Sequence, residues 1–354
     1  MEGAEVAVIG ASGDMGREIV AQAIRERLLP PVGRLQLVGR ADGPGAGKLL
    51  GQMSDLTDAY AEVAPTLQVV FEPEQVTADV VVMAAGVTVA GSIKSRLELA
   101  KTNLPIFHRY ARALAEHGLG HEVVLVVSNP VELAVQVFSQ YLDRHRVIGI
   151  GAYADSLRFR RELATELGIR RQRVQAFVIG EHGDGPVPLW SSVRIHGLDA
   201  EQHLATLHRL RGERSVAQFP TEVAQHKQAV LASLQAGRVG EAFDRVDRLP
   251  PDVRVILRPY VTQISGAKTA VSTAAVTLDL VRTLLDGREV VVSGQVQLDG
   301  EFYDLHAPVG VPIVVSPSGW TQVVELPLWS EELELLTHQT EQLVATLQAW
   351  TAAG

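Results

Sequence analysis

Cysteine is missing from all 354 residues. That excludes a disulfide framework, a thiolate nucleophile and a thiolate zinc site, and it agrees with a reducing, cytoplasmic setting. Basic charge is scarce as well, with 32 lysines and arginines against 41 acids and a formal net charge of -9. Nucleic acid and anionic membrane surfaces each require a concentrated basic face, so neither is expected as a partner. No apolar run reaches the roughly 18 residues that would suggest a membrane span. The first strand-like run opens at Val6, so no signal peptide is expected. Internal repeats and low-complexity tracts are lacking too.

What is present is a chain long enough to bury a substantial core. Through residue 150, short apolar runs such as Leu35 to Val38, Val80 to Ala84 and Val123 to Val127 alternate with helix-length amphipathic stretches. Such runs mark parallel strands buried on both faces. With helices expected near 14–28, 94–117 and 130–141, the pattern predicts an α/β, Rossmann-type doubly wound domain over residues 1–150. Residues 151–354 predict a second, mixed α+β substrate domain. Its helices are expected near 154–168, 215–236 and 262–286, and its strands around Val290 to Val292 and Val311 to Val315. A last helix spans Ser330 to Trp350, with Glu332 or Glu334 as its capping acid. Arg238 to Pro251, charged and ending in proline, reads as an irregular excursion.

The first strand runs into Gly10-Ala11-Ser12-Gly13-Asp14-Met15-Gly16, and a helical pattern follows from Arg17. Glycines there allow a tight turn and close approach to a pyrophosphate, which a helix N-terminus stabilises. Gly10, Gly13, Asp14, Met15 and Gly16 are therefore expected to bind a dinucleotide. At the end of the second strand, an acid normally accepts hydrogen bonds from the adenosine ribose of NAD. Gly39-Arg40 stands there instead. Arg40 suits a 2′-phosphate, which favours NADP over NAD. The plainer alternative makes Arg40 a solvated arginine and gives the ribose to Asp42.

Two further motifs carry chemistry. In Gly180-Glu181-His182-Gly183-Asp184 a histidine stands among glycines and acids, and Asp155-Ser156-Leu157-Arg158 lies upstream at a helix start. Reducing a ketone leaves an alkoxide that must be protonated, a task to which imidazole is matched near neutral pH. Asp155 would fix the tautomer of His182 and favour its charged form. Arg158, three residues further on, would clamp a carboxylate through two parallel hydrogen bonds. Taken singly, each residue is as well explained by a surface ion pair or a structural histidine.

Together with these motifs, Ala85-Gly86, Arg96, Asn103, Ser128-Asn129-Pro130, Pro188-Leu189-Trp190-Ser191 and Gly300-Glu301-Phe302 occur in an order that resembles the lactate and malate dehydrogenase family, the malate branch more closely. The resemblance covers nearly the whole chain. It implies that His182 is the proton donor and acceptor, that Asp155 is its partner and that Arg158 binds the substrate carboxylate. It implies that Arg96, at the end of a mobile lid, polarises the substrate carbonyl, and that Asn129 hydrogen-bonds near nicotinamide and substrate. It places Ala85, Gly86 and Asn103 at the cofactor, makes the Asn129-Pro130 bond cis, and implies a homodimer or homotetramer.

The chain departs from that family in two places. The lid between Gly86 and Arg96 carries Ala90 or Gly91 where the family has the arginine of malate dehydrogenases or the glutamine of lactate dehydrogenases. Ser265 to Thr269 carries an unexpected Lys268, a candidate cation for an anionic side group on the substrate, with a solvent-facing lysine as the alternative. Lys94 in the lid is a weaker candidate. The expected activity is NAD(P)-dependent reduction of a small, anionic 2-oxo acid. Three alternatives stay open: an NAD-dependent malate dehydrogenase with an unusual lid, a dinucleotide-binding protein without turnover, and an NAD-using glycosidase. The last would need a metal, which nothing in the sequence demands.

Overall fold

The computed structural model describes residues 3–87 and 95–352. Ala90, Gly91 and Lys94 lie outside them. Six strands come first: β1 (Glu5–Ile9), β2 (Arg34–Val38), β3 (Thr66–Val70), β4 (Val80–Met83), β5 (Val123–Val126) and β6 (Val147–Gly149). They pair parallel in the order 3-2-1-4-5-6, the doubly wound arrangement read from the sequence. The apolar runs fit because β1, β4 and β5 are buried almost throughout. Connections run through α1 (Asp14–Arg25), α2 (Pro44–Ala59), α3 (Arg96–His117) and α4 (Val131–Tyr141). The chain reverses direction across the sheet between β1 and β4, so their C-terminal ends form the crevice where such folds bind ligands.

The remainder begins with α5 (Gly151–Leu167), β7 (Val174–Gly180), β8 (Pro186–Ile195) and α6 (Ala200–Arg211). Then come α7 (Phe219–Gln235), α8 (Val239–Asp247), α9 (Pro251–Ile264) and α10 (Ala270–Leu285). The chain closes with β9 (Val290–Gln297), β10 (Pro308–Ser316), β11 (Gly319–Val323) and α11 (Ser330–Ala352). Strands β7 to β11 are antiparallel to their neighbours and extend the parallel sheet. They join it where β9 pairs with β6, Gly149 opposite Gln295, and within the antiparallel part β10 meets β7 at Gly310 opposite Gly180.

Several expected elements change. Arg238 to Pro251 is mostly helical: Ala242 and Val246, four apart on α8, bury one face while the charges stay outside. The single helix expected over 262–286 is two, because Ser265 to Thr269 breaks it around Gly266 at φ +90°. Of the two candidate capping acids on α11, Glu332 is the one used, accepting from the backbone N–H of Trp329 at 3.0 Å.

Candidate active site

The glycine turn has the shape expected of it. Gly10 has φ +88°, and a Cβ there would stand 2.7 Å from the backbone of Ala85 at the end of β4. A Cβ on Gly16 would stand 2.2 Å from the Gly10 carbonyl oxygen, so only glycine lets α1 pack onto the turn. Gly13 caps α1 without offering a side-chain acceptor, which leaves the first amides of the helix for an anion. Asp14 and Met15 follow in its first turn. These features fit a dinucleotide pyrophosphate. At the end of β2, Gly39 is buried, and a Cβ on it would collide with Leu49; Arg40 is exposed, with no ion pair among the described residues.

Asn103, fully buried on α3, braces the neighbouring segments. Its side chain accepts from the N–H of Val87 at 2.8 Å and donates to the carbonyls of Val87 at 3.1 Å and Asn129 at 2.7 Å. A Cβ on Gly86 would press against it at 2.9 Å. Ser128 Oγ ties the next turn to Ala85, and Asn129-Pro130 is cis, as the resemblance implies.

His182 lies on the turn between β7 and β8, with Gly180 at φ +88° and Gly183 at φ +113° on either side. Its Nδ1 is 2.7 Å from Asp155 Oδ2, while the other Asp155 oxygen accepts from Arg158 Nη1 at 2.6 Å. One carboxylate in the second turn of α5 thus orients both the imidazole and the guanidinium. Nε2 of His182 has no partner among the described residues, and the side chain is 25% exposed. Burial disfavours the charged imidazole, but the charge and hydrogen bond of Asp155 outweigh it and hold the pKa of His182 above its ordinary value. Burial likewise raises Asp155, and the charges and hydrogen bonds of His182 and Arg158 reverse it, leaving that carboxyl below the usual range.

Sequence reasoning missed two supports of this histidine. Gly151 opens α5 against the imidazole, where a Cβ would stand 2.5 Å from His182 Cγ. Glu132, 1% exposed in the first turn of α4, accepts from the N–H of His182 at 2.7 Å. Burial and the neighbouring Glu181 charge push the Glu132 carboxyl up to about 7. Glu181 belongs to the histidine motif, and it receives Arg96. The only signal for Glu132 was an acid beside Asn129-Pro130, and 50 residues separate it from His182.

Arg96 begins α3, whose start is set by Ser95 capping the N–H of Glu98 at 3.1 Å. Its guanidinium pairs with Glu181, with Asp184 at 2.8 Å and with the carbonyl of His182 at 3.0 Å. Burial lowers its pKa, and the charges of Asp184 and Glu181 more than restore it. Arg96 is thus brought to the histidine motif. Lys268 differs from expectation: its ammonium pairs with Asp14 at the head of α1 instead of standing free for a substrate anion. Asp14 is the nearest opposite charge, because the break between α9 and α10 faces the glycine turn. Lys268 and Arg158 line one cavity of about 710 Å³, whose lining includes neither His182 nor Asn129.

Comparison with known proteins agrees with this geometry. Residues 4–149 match the lactate/malate dehydrogenase NAD binding domain, and residues 154–240 and 260–353 match the lactate/malate dehydrogenase alpha/beta C-terminal domain. Malate dehydrogenase of Halobacterium salinarum is 30% identical over 344 residues, covering 96% of this chain and 97% of that protein. The L-2-hydroxycarboxylate dehydrogenase (NAD(P)(+)) of Methanocaldococcus jannaschii is 26% identical over 341 residues, 93% of each chain. The solved malate dehydrogenase from Aeropyrum pernix shares the fold at a TM-score of 0.76 and 20% identity, covering 98% of this chain and 97% of its own. With both halves of the sequence matched, the chain belongs to the lactate/malate dehydrogenase family.

Proposed function

We propose that this protein reduces a small, anionic 2-oxo acid to the 2-hydroxy acid with a nicotinamide dinucleotide. The observation that carries the reading is Asp155, buried and shared between His182 and Arg158. The dinucleotide, when bound, supplies the hydride. Gly10, Gly13 and Gly16 would hold its pyrophosphate, with Ala85 and Gly86 across the crevice. His182 gives the developing alkoxide its proton from Nε2, and Asp155 stabilises the imidazolium before that transfer. Arg158 receives the substrate carboxylate, which sets the carbonyl against His182. Arg96 polarises the carbonyl once it leaves Glu181 and Asp184. Asn129, whose backbone Asn103 fixes, borders substrate and nicotinamide.

Arg40 at the end of β2, exposed and without an ion pair among the described residues, supports NADP as the preferred cofactor. Lys268, half exposed, would meet an anionic side group on the substrate only by leaving Asp14. A second reading, an NAD-dependent malate dehydrogenase, is favoured by the 30% identity to the malate dehydrogenase of Halobacterium salinarum. The test is oxidation of NADPH and NADH with pyruvate, oxaloacetate and 3-phosphonopyruvate, followed by absorbance. Turnover is expected to be faster with NADPH and with the acids that carry a second anionic group. Preference for NADH with oxaloacetate would establish the second reading, and preference for pyruvate would remove the role given to Lys268.

A further inference from the structure

Residues 241–259 fall between the two stretches matched by the C-terminal family model. They make up most of α8 and most of α9, and they are anchored on two sides. Buried Asp252 accepts from Trp190 Nε1 at 3.1 Å and from Arg214 at 2.7 Å. Arg254, 4% exposed, donates from Nε to Glu162 Oε2 at 2.8 Å. Glu162 lies on α5 at 2% exposure, and it also receives Arg258 Nε at 3.0 Å and its neighbour Arg161.

The position of Glu162 gives this cluster a consequence at the active site. It follows Arg158 by four residues, whereas Asp155 precedes Arg158 by three, so Arg158 stands between two carboxylates one helical turn away on either side. In the structure Arg158 goes to Asp155. Glu162 does not compete for it, because Arg254, Arg258 and Arg161 meet its charge. A buried carboxylate stripped of its partners is strongly unfavourable, so it takes the nearest cation. Without Arg258, Glu162 Oε2 keeps Arg254 but Oε1 keeps only Arg161, and the further arginine one helical turn back on α5 is Arg158.

We propose that Arg254 and Arg258, carried by the unmatched segment, are positioning residues that occupy Glu162 and thereby keep Arg158 on Asp155 and open to the substrate carboxylate. Arg258 is the better one to vary, since its side chain is 29% exposed and it lines the same cavity as Arg158. The proposal rests on Arg158 being the carboxylate clamp.

The test is steady-state kinetics of Arg258→Met with whichever of pyruvate, oxaloacetate and 3-phosphonopyruvate the wild type reduces best. KM for the acid is expected to rise on the order of tenfold, with kcat changed less than about threefold and cofactor affinity unchanged. Adding Glu162→Gln, which removes the competing charge, is expected to bring KM back to within about threefold of wild type. If Arg258→Met does not fold, Arg258→Gln keeps a donor for Glu162 without the charge and is read in the same way. A wild-type KM in the single variant, or a raised KM that Glu162→Gln does not restore, overturns the proposal. Arg158→Met separates the two layers: if it leaves KM unchanged, the clamp reading fails, and if it raises KM while Arg258→Met does not, only the positioning role fails.

Discussion

Glu132 is the carboxyl beside His182 whose behaviour departs from its type. In an unfolded chain it releases its proton near 4.5; in the fold, burial and Glu181 hold the proton up to about 7. The native state therefore binds more protons than the unfolded state across that window, so stability falls as pH rises from about 4.5 through about 7. The shift corresponds to about 3 kcal/mol. Glu132→Gln keeps an acceptor for the His182 N–H without a charge to bury. Its melting temperature, relative to wild type, is expected to climb from pH 5 to pH 8. A difference that stays flat with pH would show that Glu132 is ionised in the fold at no cost. At this scale the sequence was legible for Asp155, Arg158 and His182, because short spacing and residue type announce them. Glu132, Gly151 and the Lys268 partner Asp14 were not, since each depends on which distant segment the fold brings alongside.

Among the elements, the strand-turn-helix around Gly10 to Gly16 makes the sharpest distinction. Gly16→Ala would place a Cβ 2.2 Å from a backbone oxygen that cannot step aside, and overpacking of this kind costs about 1–3 kcal/mol. Gly13→Ala meets only the Gly10 carbonyl at 3.3 Å, with φ at -77°. Chemical denaturation is expected to show a clear loss for Gly16→Ala and nearly wild-type stability for Gly13→Ala, while titration with NADPH shows weakened binding for both. Strong cofactor binding by Gly13→Ala would argue that the pyrophosphate does not approach this turn. The elements were readable where period and context agreed, as in β1, β4, β5 and α1. Segment α8 was misread because charges are interspersed through it and a proline pair follows it, whereas its fold depends on Ala242 and Val246 facing inward, with Phe243 packed beside them. The break at Ser265 to Thr269 was hidden inside a continuous helical pattern.

Across the whole molecule, the active site sits where the parallel and antiparallel parts of the sheet meet. The joint between β6 and β9, and the β10–β7 pairing beside it, use glycine for want of room: a Cβ on Gly149 would stand 2.6 Å from Val131, and one on Gly310 would stand 2.6 Å from Ala152. Gln295, the partner of Gly149, accepts from the N–H of Ala152 at 3.0 Å and so pins the start of α5. The helix bearing Asp155 and Arg158, the turn bearing His182 and the cis Asn129-Pro130 turn are held to one another by that junction. No motif encodes such a convergence, which exists only once the sheet is assembled. The central proposal built on it is proton transfer by His182 during hydride transfer, tested most directly by comparing oxidation of the preferred reduced nicotinamide dinucleotide in wild type and His182→Ala with the best-reduced 2-oxo acid. Loss of a positioned general acid is expected to lower kcat by about 10²–10⁴-fold, with dinucleotide binding retained. A His182→Ala enzyme that turns over at the wild-type rate would contradict the account.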